Sequence, residues 1–197
     1  IAAFVGYGYV FENNVNLEEG EEYEVLVYPE DDPREIYDRL VAENVLKNKQ
    51  SFILVARQKQ WNTAKTGRYI LKKGMGNNAI VNMFRAGLQT PVQVKITGGE
   101  SLSDVAGNLG KQLMLDSAEI FNLFTEETFL QENEVDLASV RSLILLNTYE
   151  MYWNIGADAL RKRILDEYKS YWNEERLALA KGLNLSPLEV SVLASIV

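Results

Sequence analysis

An order of elements that occurs twice sets narrow limits on the fold of this 197-residue chain. EYEVLV alternates polar and apolar residues, as a half-buried strand does. A turn with Pro33 leads from it into a helix carrying Ile36, Leu40 and Val41, which fades near Asn44. Asn48 or Ser51 opens a second helix with Phe52, Val55 and Ala56. Later, Val92, Val94 and Ile96 alternate, Gly98 and Gly99 turn, and Ser101 with Asp104 opens a helix. Val105 and Leu109 match Ile36 and Leu40, and Phe121 and Leu123 match Phe52 and Leu54, at one offset (105 − 36 = 69; 121 − 52 = 69). Two strand-helix-helix units are therefore expected.

Between them, GRYILKKGMGNNAIVNMFRAG reads as a strand at Tyr69–Leu71, a Gly turn, and a helix with Ile80, Val81 and Phe84 inward. Gly87 is its left-handed stop. The acidic stretch 12–22 reads as a linker, 23–97 as one βααβ-containing subdomain, and 98–197 as a second, mixed domain. In that second part EETFLQENEVD reads as a short helix or loop, and SLILLNTYEMYWN as an apolar strand running into an aromatic cluster. A long helix is expected from about Ala157 to Lys181, started by Gly156 and ended by Gly182. Its broad apolar face carries Leu160, Ile164, Tyr168, Trp172 and Leu179. The last stretch, LSPLEVSVLASIV, starts a helix with an S-x-x-E capping box and Pro at the first helical position, then shows no stop signal. Val190, Leu193, Ala194 and Val197 give it one apolar face.

The composition removes several chemistries. With no Cys there is no disulfide framework and no thiolate metal site, and with no His there is no Ser-His or Cys-His catalysis. No metal and no cofactor are expected. A net charge of −8 argues against nucleic acid as a partner and leaves neutral ligands such as sugars open. The uncharged opening IAAFVGYGYVF is shorter than the roughly 20 residues of a membrane span. It is either a first buried element or the end, over 1–11, of a membrane anchor. The acidic runs read as solvated faces, and KKGMGNN lacks the spacing of a phosphate loop.

NTYEMYWN is the densest polar-aromatic cluster, and it supplies the candidate substrate-binding residues Asn147, Tyr149, Glu150, Tyr152 and Trp153. Aromatic faces stack on sugar rings, while amides and carboxylates take hydroxyl and acetamido groups. The same Tyr149, Tyr152 and Trp153 would serve equally well as core packing against the long helix. Glu150 is either a general acid with a raised pKa or a simply hydrogen-bonded surface group.

The order strand, helix, helix, strand, helix resembles a LysM-like module, a small fold that often holds N-acetylated glycans. Three stretches together resemble the membrane-anchored endolytic murein transglycosylases of the MltG (YceG-like) type, in details closest to the Bacteroidota branch. They are GRYILKKGMGNNAIVNMFRAGLQTPVQV, NTYEMYWN with the helix ending YWNEERLALAKGL, and LSPLEVSVLASIV. The resemblance runs from about Val25 to Val197. Leu146 departs from it where the family has Pro, and Gly156 where many relatives have Ser. The resemblance implies an α+β fold: LysM-like βααβ subdomains followed by the front part of a mixed α/β catalytic domain. It implies cleavage of the β-1,4 bond between N-acetylmuramic acid and N-acetylglucosamine in nascent glycan, giving 1,6-anhydro ends. It also implies a catalytic Glu just after Val197, so that no catalytic residue lies in the chain itself, and a single-pass inner-membrane anchor with the rest in the periplasm. Peptidoglycan strands and the peptidoglycan synthases are the implied partners. Two other readings stay open: a non-catalytic LysM-like glycan-binding module, and a structural partner of the cell-wall machinery that binds protein through its aromatic face.

Overall fold

The computed structural model describes residues 13–97 and 101–194, and the chain divides into two units, Ile1–Pro91 and Val92–Val197. The opening stretch 1–11 and the Gly98–Gly99 turn lie outside the described residues. The fold is α+β: among the described residues there are nine α-helices and two antiparallel two-stranded sheets. No single helix among them is long and apolar enough to cross a membrane.

In the first unit, strand β1 (Glu22–Val27) is followed by helices α1 (Pro33–Ala42) and α2 (Lys49–Gln58), strand β2 (Gly67–Lys72) and helix α3 (Asn77–Ala86). Asp32 and Glu35 form a capping box at the start of α1, and Asn48, rather than Ser51, caps α2. β1 pairs antiparallel with β2, with Val25 opposite Tyr69. The inward residues of both strands meet Ile36, Leu40, Phe52, Ile80 and Phe84 in one core. Trp61 stacks on Phe84 at 5.5 Å between ring centroids, and Tyr69 meets the same ring edge-on at 4.9 Å.

The predicted linker is part of this core. Val15 is fully buried, and bridges join Asn13 to Gly76 and Val15 to Leu46. Asn14 is 3% exposed: its Nδ2 donates to Asn77 Oδ1 at 2.6 Å and to the Asn48 carbonyl at 2.9 Å. Its Oδ1 accepts from the Asn48 amide at 2.7 Å. Asn77 Nδ2 in turn donates to Ser51 Oγ at 3.0 Å. A polar, Asn-rich segment thus belongs inside because each of its buried amides has a partner.

Five of the nine described helices are closed by one repeated device. The amide of Val45 donates to the Leu40 carbonyl, Trp61 to Ala56, Leu88 to Met83, Val135 to Leu130 and Leu185 to Ala180. The residue before each donor is left-handed: Asn44 (φ 57°), Gln60 (φ 50°), Gly87 (φ 73°), Glu134 (φ 54°) and Asn184 (φ 56°). This is the Schellman closure, which satisfies carbonyls left over in the last turn. Gly87 acts as the sequence predicts. The other four sites hold residues with a Cβ, for which the left-handed conformation costs roughly 1–2 kcal/mol.

The second unit starts with strand β3 (Val92–Lys95), six residues before the predicted boundary at 97/98, since β3 pairs with a strand far along the chain. Helices α4 (Leu102–Gln112), α5 (Ser117–Thr125) and α6 (Glu127–Glu132) follow. Then come a 3₁₀ turn (Val140–Leu143), strand β4 (Thr148–Met151), and helices α7 (Ala157–Tyr171), α8 (Glu174–Gly182) and α9 (Pro187–Ala194). The apolar run before NTYEMYWN is therefore not a strand: Val140, Leu143 and Ile144 are buried from a 3₁₀ turn and its exit, and the strand lies inside the aromatic cluster itself.

The expected long helix is two. Asn173 is extended, and its side chain accepts from the Arg176 amide, so it starts a new helix. Arg176 packs its guanidinium 4.2 Å from the centre of the Tyr171 ring and donates to the Tyr171 carbonyl at 2.7 Å. The apolar face is accordingly shorter than predicted: Leu160 and Ile164 are buried, but Leu179 is 65% exposed. Asn184, not Gly182, supplies the left-handed residue after α8.

The repeat is present and goes further than the sequence indicates. Val25 and Val94, Ile36 and Val105, and Leu40 and Leu109 are equivalent buried pairs at the offset of 69. In the next helix the offset changes. Phe121 is 37% exposed, and the residues equivalent to Phe52 and Ala56 are the buried Ile120 and Phe124 (120 − 52 = 68). After α6 and the 3₁₀ turn, which the first unit lacks, the match resumes (149 − 69 = 80). Tyr149 lies opposite Val94 as Tyr69 lies opposite Val25. Gly156 caps α7 as Gly76 caps α3, and Leu160 and Ile164 are buried as Ile80 and Phe84 are. Each unit is thus a βααβα fold with an antiparallel strand pair.

Candidate functional site

The candidate residues lie on and just around β4. β3 and β4 pair as Val92 with Met151, Gln93 with Glu150, Val94 with Tyr149 and Lys95 with Thr148. A strand sends successive side chains to opposite faces. Tyr149, Met151 and Trp153 consequently point inward, at 0%, 7% and 5% exposure, and Thr148, Glu150 and Tyr152 face out.

Tyr149 is a core residue. Its hydroxyl donates to the Leu145 carbonyl at 2.8 Å, and the Arg163 guanidinium lies 5.4 Å from the ring centre. Burial, with the nearby Glu167 carboxylate adding to it, pushes the phenol pKa up to about 12. Trp153 is buried too, and its carbonyl accepts from the Met114 amide at 2.9 Å. Neither ring is available for stacking on a sugar.

The other three candidates share the solvent side. Tyr152 is 53% exposed. Glu150 accepts from Gln93 Nε2 at 2.6 Å across the strand pair. A general acid of this type needs burial against apolar surface, and an exposed cross-strand position does not provide it. Asn147 donates to Glu167 at 3.0 Å and accepts from the Thr148 amide at 2.8 Å, and Glu167 also holds Arg163 at 2.8 Å.

The structure therefore divides the five predicted residues into a packing pair and an outward set. The outward set gains Gln93 and Lys95 from β3, which the sequence did not single out. Their alternation with Val92 and Val94 was the available signal, but the register that puts Gln93 beside Glu150 depends on pairing across more than fifty intervening residues. The result is a polar strip with amide, carboxylate and ammonium groups and one open aromatic face. Among the described residues no group of three acidic side chains is placed to hold a metal ion.

The last helix adds a second feature. Glu189 accepts from the Ser186 amide at 2.7 Å, and the Glu189 amide donates to Ser186 Oγ at 3.2 Å. The predicted capping box is thus present. The Ser186 amide and hydroxyl hold the Glu189 carboxyl below its ordinary range, as befits a cap. No described residue of α9 is buried, although the helix is mostly apolar.

A family model described as the YceG-like family matches residues 25–197. No curated protein sequence matches the chain. Among solved structures, the chain is similar to a crystal structure titled as that of a yceG-like protein from Listeria monocytogenes, with 16% identity and a TM-score of 0.45. The overlap covers 85% of this chain and 60% of that one.

Proposed function

Because the chain belongs to the YceG-like family, we propose that it is part of an endolytic peptidoglycan transglycosylase that cuts the bond between N-acetylmuramic acid and N-acetylglucosamine. The observation that carries this reading is the family match over residues 25–197, which runs from within β1 through the second unit and α9. The chemistry agrees with a sequence that has neither His nor Cys. One carboxyl group protonates the leaving glycosidic oxygen. As carboxylate it then takes the proton from the muramyl 6-hydroxyl, which closes on C1 and leaves a 1,6-anhydro end. In this reading the acid is a Glu in the segment that follows LASIV. The glycan runs along the outward strip of β3 and β4, with Tyr152 stacking on a sugar and Gln93, Asn147 and Glu150 bonding its polar groups. The reading includes a single-pass anchor in the inner membrane, with the glycan-binding part in the periplasm beside the synthases.

The test is to digest peptidoglycan with protein that includes the segment following LASIV and to analyse the muropeptides by mass spectrometry. Anhydro products are expected, and changing the Glu of that segment to Gln is expected to remove them. Products that persist in that variant would sink the assignment of the acid. The doubled βααβα order favours one second reading, a non-catalytic glycan-binding module. That reading predicts glycan binding sensitive to Tyr152→Ala with no anhydro product from any length of the protein.

A further inference from the structure

Half of the chain's cations lie in one stretch that has no acid. Between Glu43 and Glu100 there are ten Lys and Arg and no Asp or Glu, which leaves ten cations and all 28 acids to the rest of the chain. All of the ten except Lys95 belong to the first unit. Four of them meet acids from earlier in the chain: Lys49 with Asp38 at 2.5 Å, Lys72 with Glu22 at 2.6 Å, Lys73 with Glu19 at 3.6 Å, and Arg68 with Glu24. Among the described residues Lys47, Arg57, Lys59, Lys65 and Arg85 form no ion pair.

Four of these five gather at one end of the unit. Arg57 is in the last turn of α2, Lys59 follows the helix directly, and the loop 59–66 carries Lys65 to the end of α3. The loop is fixed there: Trp61 stacks on Phe84, and the Lys65 amide donates to the Phe84 carbonyl at 3.1 Å. The Lys65 side chain runs over Gly87, where an added Cβ would meet it at 2.9 Å. Arg85 is in the last turn of α3. Carbonyls at a helix C-terminus attract cations, which accounts for the places of Arg57 and Arg85. It does not account for Lys65, or for α2, the loop and α3 holding no Asp or Glu at all.

Two large apolar side chains are exposed among these charges, Leu54 at 54% and Leu88 at 63%. Leu54 lies three residues before Arg57 on the same side of α2, and Leu88 lies three residues after Arg85. Lys and Arg interleaved with exposed Leu suit anionic lipid: the cations meet headgroup phosphates and the Leu side chains enter the boundary with the acyl chains. Nucleic acid fits less well, because unpaired bases stack on open aromatic faces and Trp61, the aromatic residue of this loop, is 5% exposed.

We propose that this end of the first unit docks on an anionic membrane surface, with Arg57, Lys59, Lys65 and Arg85 on lipid phosphates and Leu54 and Leu88 at the acyl boundary. This contact is separate from the anchor expected over 1–11, and it does not depend on the transglycosylase reading.

The test is co-sedimentation of the whole chain with vesicles of phosphatidylcholine alone and of equal parts phosphatidylcholine and phosphatidylglycerol. Partition into the mixed vesicles is expected to exceed that into the neutral ones by about tenfold or more, and the excess is expected to fall as salt is raised. Lys59→Glu with Lys65→Glu is expected to remove the excess and to leave partition into neutral vesicles unchanged, since residues 1–11 are intact in it. Should that variant fail to fold by circular dichroism, Lys59→Gln with Lys65→Gln decides, with a loss of about tenfold expected. The proposal is overturned if the excess does not appear, or if it persists in the folded double variant. It is also overturned if a single-stranded oligonucleotide displaces the protein from the mixed vesicles, which would assign the cations to nucleic acid.

Discussion

Tyr69 and Tyr149 do the same work in the two units. Each is fully buried, each lies opposite an equivalent Val, and each donates its hydroxyl to the carbonyl four residues earlier, Lys65 at 2.6 Å and Leu145 at 2.8 Å. Replacing either with Phe leaves that carbonyl without its partner while the ring still fills the core. Each change is expected to lower stability by about 1–2 kcal/mol, read from the denaturant midpoint, with glycan binding unaffected. A loss of glycan affinity in Tyr149→Phe would return that residue to the binding site. Gln60 offers the opposite case. Its left-handed backbone is strained for a residue with a Cβ, so Gln60→Gly is expected to stabilise by about 0.5 kcal/mol after the added freedom of the unfolded chain is subtracted. Neither role is legible in the sequence, because an aromatic residue in a strand looks the same whichever face it is on.

At the scale of elements, the segment 13–15 and the starts of α2 and α3 form one piece through Asn14, Asn48, Ser51 and Asn77. Asn77→Ala leaves Asn14 Nδ2 and Ser51 Oγ each without one partner in a site that is 1–5% exposed. The expected loss is about 2–3 kcal/mol, measured by thermal or chemical unfolding. A loss within about 0.5 kcal/mol would show that water replaces the amide. The caps themselves are readable: S-x-x-D at Ser101 and S-x-x-E at Ser186 form as their spacing predicts. The break after Tyr171 is not, since Trp172 and Asn173 are tolerated inside helices and only the Asn173 cap and the Tyr171–Arg176 contact decide against continuation. Asn173→Ala is expected to cost about 1 kcal/mol through the lost cap.

At the scale of the molecule, the two units should differ in acid. The carboxyls of Asp104, Asp136, Asp166 and Glu189 are each held below the ordinary range, first by hydrogen bonds from Ser101, Ser139, Lys162 and Ser186 respectively. All four belong to the second unit. A carboxyl whose pKa is depressed by folding stabilises the native state above its unfolded value and loses that contribution as pH falls through the folded one. The loss therefore begins as pH drops below 4.5 for Glu189 and 3.8 for the three Asp residues. Hydrogen exchange at descending pH is expected to show amides of residues 101–194 losing protection, relative to their own values at neutral pH, as pH falls through that range. No loss of protection at 101–194 between neutral pH and about pH 3 would mean that these surface bonds contribute nothing measurable to stability.

The sequence by itself determined what depends on near neighbours: the alternation of strands and helices in the first unit, most helix starts, the Gly87 stop, and a repeat visible at an offset of 69. Caps, turns and periodicity act within about four residues, so they are written where they act. Only the tertiary structure decided which face of β4 is the core, which removed Tyr149 and Trp153 from the candidate surface and brought Gln93 and Lys95 to it. It also decided that Asn14 is inside and that the repeat resumes at an offset of 80 beyond an inserted helix and turn. Those outcomes depend on which distant strand or amide each residue meets, and a linear pattern does not encode that partner.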